Sequence, residues 1–248
     1  MATKIAGTIY GSSDSIIITA FLGVGTVGLV SNYQMISSKI QEFILSIFKA
    51  LQASIGNMVY DKDAKKGVDF FYALDLVGFY MGLVSAVGIV TVGQDFILLW
   101  LKRAELQLPF LFLVLLATNV FIAICNNPMN YFRNTLGHFE TDRNYMIAAA
   151  VVNVVLTLLL VIPMGVAGVM VGTVLGHLLI YLGRIVVVYK HYVKKSPVEY
   201  YICLVVRLGL FAISAFLTMV LMGQVGGGLA GVLIKGMTSV VISTVIFL

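Results

Sequence analysis

The chain has 248 residues, 60% of them apolar and only 11% charged, with a formal net charge of +5. At this size, a mean hydropathy of +1.02 excludes a soluble domain, a disordered chain, a collagen-like fibre and a secreted disulfide scaffold, because too few polar side chains are present to clothe a folded surface against water. The sixteen Lys and Arg, against eleven Asp and Glu, are dispersed between apolar stretches and form no stripe beside stacking aromatics, so no nucleic-acid partner is expected.

A helix needs about 20 residues to cross hydrocarbon, and short polar or Gly-rich breaks divide the sequence into eight segments of roughly that length or longer. The first, Lys4 to Leu22, is the least apolar; Gly7, Gly11, Ser12, Ser13 and Asp14 interrupt it and no cleavage-type site follows, so it reads as mature sequence and not as a signal peptide. The others run from Val27 to about Met58, Val68 to Leu101, Leu106 to about Leu136, Tyr145 to Ile162, Val166 to Tyr189, Val198 to Met222 and Leu229 to Leu248. Barrel strands would be about half as long and would alternate; the run AAAVVNVVLTLLLVI does neither. The expected fold is therefore all-α, a single polytopic membrane bundle over residues 1–248.

Cytoplasmic loops collect Lys and Arg. With the amino terminus inside, one side receives Lys4, Lys62, Lys65, Lys66, Arg133, Arg143, Lys190, Lys194 and Lys195, and the other only Lys102, Arg103 and Lys235, which places both termini in the cytoplasm. The short connections at Gly23 to Gly28 and Pro163 to Gly168 tie neighbouring helices into antiparallel hairpins. Small residues at Gly7/Gly11, Gly78/Gly82 and Gly168/Gly172/Gly176 allow close helix approach.

Gly23, Gly25 and Gly28 spell a literal G-x-G-x-x-G, but they join two apolar helices, not a strand and a helix, and read as a tight hairpin. Cys125 and Cys203 lie in apolar segments without ligand spacing. No nucleophile elbow, phosphate loop, His-Glu-x-x-His or Cys/His ligand pair is found, so no enzyme, cofactor or metal centre is expected.

The informative element is the second helix. On a helical wheel Ile36, Ile40, Phe43, Ile44, Ile47, Phe48, Leu51 and Ile55 share one side, and Ser31, Gln34, Ser38, Gln41, Glu42, Lys49 and Gln52 the other. A charge at the bilayer centre costs about 2.5 to 3.5 kcal/mol even on an insertion scale, so Lys39, Glu42 and Lys49 are expected to face an aqueous cavity or one another. Asp14 is placed near this face, with Lys39 as a conceivable partner. Asn126, Asn127 and Pro128 are expected to break the fourth helix; Arg133 suits a phosphate or an inner-boundary anchor; His177 suits a proton relay or, more simply, a hydrogen bond to a neighbouring helix. Asp75 and Asp95 are read as boundary residues.

The stretches KIAGTIYGSSDSIIITAFLGVGTVGLVSNYQMI, ALQASIGNMV, FILLWL, RNTLGHFETDRNYMIAAAVVNVVLTLLL, GVAGVMVGTVLGH and YKHYVKKSPVEYY resemble the second half of bacterial polysaccharide transporters, the O-antigen and capsule flippases of the multidrug/oligosaccharidyl-lipid/polysaccharide exporter superfamily. The resemblance is diffuse and covers essentially the whole chain. It implies one lobe of a V-shaped pair of bundles in the bacterial cytoplasmic membrane, with the partner lobe supplied by a missing amino-terminal half or a second copy; truncation is the expectation. It also implies transport of a lipid-linked oligosaccharide, a sugar chain on a polyprenyl diphosphate. Gln34, Gln41, Gln52 and Asn57 then suit the sugar, Lys39, Lys49 and Arg133 the diphosphate, and Asp14 and Glu42 a coupling cation. The competing readings are a multidrug-type cation-coupled exporter, a membrane glycosyltransferase or ligase, for which the loops of about ten residues are short, and a purely structural membrane partner.

Overall fold

The computed structural model describes residues 13–60, 63–137 and 139–248; Lys4, Gly7, Gly11 and Lys62 lie outside them. The described residues contain no strand. Their helices are α1 (Ser13–Leu22), α2 (Val24–Ala50), α3 (Gln52–Val59), α4 (Ala64–Leu101), α5 (Phe110–Leu136), α6 (Phe139–Met164), α7 (Val166–Val188), α8 (Pro197–Met222) and α9 (Leu229–Phe247). The six from α4 to α9 are long and apolar enough to cross a membrane, which makes the chain a multi-pass membrane protein.

α2 has 27 residues, about 40 Å at 1.5 Å per residue, but is too polar to belong to that set. Its contacts carry it across all the same. Near its start, Tyr33 donates its hydroxyl proton to Gln94 Oε1 (2.8 Å) and accepts from the Leu108 N–H (3.0 Å), at the end of α4 and the loop before α5. Toward its other end Phe48 stacks on Tyr131 of α5 with ring centroids 6.3 Å apart, and beyond α3 the Tyr60 hydroxyl donates to the Thr135 carbonyl (3.1 Å) at the close of α5. α2 and α3 together therefore run the depth of α5.

Several local expectations are corrected. The second segment is two helices, because the Leu51 N–H is shared between the Ile47 and Phe48 carbonyls (3.3 and 3.2 Å), a tightened last turn that ends α2 and lets α3 restart. α4 starts at Ala64 because the Asp63 carboxylate accepts from the Lys65 and Lys66 N–H groups as an N-cap. α5 starts at Phe110 and not Leu106: Pro109 disfavours helix at the residue before it, and a separate 3₁₀ turn occupies Ala104–Leu106. α5 then continues through Asn126, Asn127 and Pro128 without a break; the proline ring lies against Gly78 of α4, where a Cβ would come within 3.1 Å of it. α7 runs on as a π turn, Tyr189–Val193, closed by Lys194 in the left-handed region (φ 58).

Hairpin geometry follows the glycines. Gly23 (φ 88) and Gly165 (φ 58) occupy backbone regions that only glycine enters freely, and they reverse the chain between α1 and α2 and between α6 and α7; Gly25 and Gly28 are already helical. The α6 and α7 backbones approach closely at Gly168, where a Cβ would overlap the Leu160 carbonyl, and at Gly172, where it would lie 2.5 Å from Thr157 Oγ1 and 2.9 Å from the Asn153 carbonyl. Gly82 does the same for α4 and α5, against Cys125 Sγ at 3.1 Å. Close packing of this kind is what associates helices in lipid, where apolar burial alone supplies no drive. The core lies among α4, α5 and α7, while Val155, Leu159 and Ile162 of α6, Ile202, Val205 and Phe216 of α8, and Val241 and Val245 of α9 point outward as a lipid-facing surface.

In thermal unfolding of the detergent-purified chain, Gly172→Ala is expected to lower stability by about 1–3 kcal/mol through overpacking. Gly25→Ala, where nothing lies within 4 Å of the added Cβ, is expected to leave the transition unchanged.

Candidate functional site

The bundle separates the charges of α2 from all others. Val30, Tyr33, Ser37, Ile44 and Phe48 turn inward, and Ile55 of α3 follows them. Ser31, Lys39, Glu42, Lys49, Gln52 and Asn57 are exposed, with Gln34 and Gln41 half-buried on one flank. The wheel is thus rotated from its expected setting: Phe43 is 69% exposed and Ser37 is buried, because the inward face is chosen by Tyr33, Ile44 and Phe48 docking on α4 and α5. Near the middle of the helix, Lys39 Nζ donates to Glu42 Oε2 at 2.8 Å, one turn apart, with side-chain exposures of 70% and 62%. Among the described residues nothing else covers this pair.

On the adjoining flank, Ile36 and Ile40 of α2 border a cavity of about 470 Å³ that also takes in Val92 of α4, Leu113 and Leu116 of α5 and Val240 of α9. Its polar lining is confined to the Tyr33, Ser37, Ser85 and Ser239 hydroxyls. One helix therefore divides a charged, polar face from an apolar chamber.

Asp14 is buried, but away from Lys39. The Thr173 hydroxyl of α7 donates to Asp14 Oδ2 (2.6 Å), Asn153 Nδ2 of α6 donates to Thr173 Oγ1 (3.3 Å), and the Ser13 hydroxyl donates to Asn153 Oδ1 (3.4 Å). The expected pairing of Asp14 with Lys39 is corrected: α1 turns its carboxylate onto α6 and α7, and Lys39 already has Glu42. Asp14 Oδ1 and Thr157 Oγ1, both buried, have no hydrogen-bond partner among the described residues. Thr157 stands one turn beyond Asn153 on α6, so these buried oxygen atoms lie along the seam where α1 meets α6 and α7, with Asp14 its acid. Glu42 lies on the far, exposed face of α2, so the two acids proposed for one role are not brought together.

Other charges within the bundle are paired among the described residues. Arg133 Nη2 meets Asp142 Oδ2 (3.1 Å) and Asn130 Oδ1 (2.7 Å), while Arg184 Nε donates to Asp142 Oδ1 (2.8 Å), which ties the ends of α5 and α7 to the start of α6. His177 contacts Asn119 Oδ1 through Nδ1, a link between α7 and α5. Asp75, read as a boundary residue, proves to be 2% exposed. Its Oδ2 accepts from Arg207 Nη2 of α8 (2.6 Å) and its Oδ1 from the Tyr200 hydroxyl (2.5 Å); Arg207 Nη1 donates to that same hydroxyl (2.8 Å), and the guanidinium lies 5.0 Å from the Phe79 ring centroid. No local signal flags it: in the apolar segment from Val68 it stands only eighth, and its place twelve positions into a 38-residue helix follows from the start at Ala64. Asp95 takes Lys235 of α9 at 2.5 Å, nearer the other end.

No protein-family model matches the sequence, and no curated protein does. The fold, however, has a counterpart among solved structures. The structure described as lipid II flippase MurJ in an inward closed conformation superposes with a TM-score of 0.63 at 12% sequence identity, over 98% of this chain and 51% of that one. The chain thus has a flippase-like, all-helical fold and spans about half the length of that protein.

Asp75→Asn and Arg207→Gln should each destabilise the bundle by about 3–5 kcal/mol, since either leaves an uncompensated buried charge or its hydrogen-bonding partners stranded, whereas Asp75→Leu combined with Arg207→Met should recover most of the loss. Thermal unfolding of the three variants checks this, together with disulfide trapping of Gly88→Cys with Ser239→Cys: Ser239 Oγ of α9 lies 3.8 Å from a Cβ at Gly88 of α4, and the trap should weaken in the single charge variants.

Proposed function

We propose that the chain is one lobe of a transporter for a polyprenyl-diphosphate-linked oligosaccharide of surface polysaccharide, acting in the bacterial cytoplasmic membrane with its basic end inside. The observation that carries this reading is the division made by α2. A lipid-linked sugar has a polar, anionic head and a long apolar tail. α2 offers Lys39 and Lys49 with Gln34 and Gln41 on one side, continued by Gln52 and Asn57 of α3, and borders the 470 Å³ apolar cavity on another, so head and tail each have a surface of their own kind beside the same helix. The exposed Lys39 and Glu42 pair also needs water or an opposing polar wall at this depth, which a second helical bundle facing α2 supplies in an alternating-access arrangement. Arg133, held by Asp142 in this conformation, serves to fix the helix ends and meets a diphosphate only if that contact opens. The fold shared with a lipid II flippase supports transport of a lipid-linked precursor in general; the polysaccharide class rests on the sequence resemblance.

Asp14 is the coupling-ion residue of this reading. What supports this is that its Oδ1 and the Thr157 hydroxyl, both buried, have no hydrogen-bond partner among the described residues, and that Thr173 and Asn153 bring further oxygen atoms to the same seam. Binding a monovalent cation such as sodium there neutralises one buried carboxylate without excess charge, whereas a divalent ion leaves a net positive charge in the membrane. Glu42 is left as the charge partner of Lys39.

Two measurements on the purified chain test this. Sodium should raise the unfolding temperature in wild type as ligand linkage requires and have no effect in Asp14→Asn; equal stabilisation in both would remove the cation site. Retention of a polyprenyl-diphosphate oligosaccharide in native mass spectrometry should fall about tenfold in Lys39→Gln or Lys49→Gln, the loss expected for one charge-assisted contact. Undiminished retention in both variants, or equal retention of a lipophilic cation, would count against a sugar-diphosphate seat on α2.

A further inference from the structure

At the end of the bundle away from the basic loops, a second cavity of about 210 Å³ opens among α4, α5, α8 and α9. Two opposite charges line it. Lys235 Nζ donates to Asp95 Oδ2, and the two side chains keep 13% and 23% of their exposure. This single contact uses one of the three ammonium protons of Lys235 and one carboxylate oxygen of Asp95. Thr91, also in the lining, donates its hydroxyl proton to the Val87 carbonyl, which leaves its oxygen able to accept. The pocket thus presents an acceptor side, made by the Asp95 carboxylate and the Thr91 oxygen, next to a cationic donor side at Lys235.

The depth of the cavity points to its occupant. Phe96, Trp100, Phe110 and Leu111, all substantially exposed, surround this end of α4 and the start of α5, the aromatic girdle that marks the headgroup level of a bilayer. The mouth is also bordered by Met219 and Met222 of α8, next to the lipid-facing side chains of that helix. Gly227 of the α8 to α9 loop lies beside Asp95 Oδ1, where a Cβ would come to 3.1 Å, and the Asp95 side chain keeps 23% of its exposure.

We propose that this pocket binds the headgroup of an aminophospholipid, a phosphate diester joined by a short linker to a primary ammonium, with the phosphate on Lys235 and the ammonium on Asp95 and Thr91. A zwitterion satisfies both members of the pair without adding net charge at the membrane surface. An anionic headgroup satisfies only Lys235 and meets the Asp95 carboxylate repulsively. A quaternary ammonium carries no N–H for these acceptors. The site is separate from α2 and from Asp14, so it stands or falls independently of the transport reading.

The test is native mass spectrometry of the purified chain exposed to equal mixtures of phosphatidylethanolamine, phosphatidylglycerol and phosphatidylcholine with matched chains. Wild type should retain phosphatidylethanolamine about tenfold over either competitor. Asp95→Asn should invert the preference toward phosphatidylglycerol, because the lysine is freed and the ammonium seat lost, a gain that misfolding cannot imitate; Lys235→Gln should lose the preference altogether. Adding soluble glycerophosphoethanolamine separates the two sources of this chemistry: displacement of the lipid assigns the pocket to the headgroup alone, and persistence of the lipid assigns it to the membrane-bound form. Equal retention of the three lipids by wild type, or an unchanged preference in Asp95→Asn, would overturn the proposal.

Discussion

A charge inside hydrocarbon has to find its partner within the protein, and the contact of Asp75 with Arg207 is where this molecule meets that demand most completely. Removing a pair of ions from water is compensated only when the remaining lone pairs and protons are also satisfied, and here Tyr200 bridges both members while Tyr181 in turn bonds Tyr200 (2.7 Å). The consequence is architectural. The α8 and α9 hairpin otherwise shows lipid a nearly continuous apolar surface, and lipid gives it no reason to prefer one seat over another. Arg207 and Lys235 give it one, because both partners, Asp75 and Asp95, project from α4. They lie twenty residues apart, about 30 Å along the helix, so the hairpin is pinned at two depths and cannot slide without separating charges.

The same rule, followed around the molecule, isolates its functional face. Arg133, Arg184 and Asp142 close the basic end, and His177 with Asn119 and Asp14 with Thr173 and Asn153 fill the seams between α5, α6, α7 and α1. Against that background the exposed Lys39 and Glu42 pair stands out. These residues lie midway along α2, they bond each other across one turn, and their side chains stay 70% and 62% exposed in the described bundle. A charged pair left open at this depth calls for water or a polar counterpart to reach it. The apolar cavity on the flank of the same helix makes α2 the natural seat of an amphiphile, and it is this adjacency that gives the transport reading its physical content.

Much of this was legible from the residues. The segments fell close to the helices, the glycines at 23 and 165 turned the hairpins, and the small residues at 78, 82, 168 and 172 marked the close approaches. The polar character of α2 was readable as well. The wheel could not give its rotation, because the choice between the Ile36 side and the Tyr33, Ile44 and Phe48 side depends on which grooves α4 and α5 offer. Asn126, Asn127 and Pro128 looked like a break, yet Gly78 receives the proline ring and the helix continues. Asp75 looked like a boundary residue because its partner is 132 positions away, beyond the reach of any local pattern.

Hydropathy alone determined that the chain is a membrane bundle and roughly where each crossing begins and ends, since hydrocarbon tolerates a backbone only when its own groups satisfy it, and that requirement is written locally, turn by turn. Only the tertiary structure decided which charges face one another, that Asp14 belongs with α6 and α7 and not with Lys39, and that two pockets of opposite character lie on the two sides of α4. Those outcomes depend on the rotation and crossing of helices far apart in the chain, and a periodic pattern defines the faces of a helix without saying what stands opposite them.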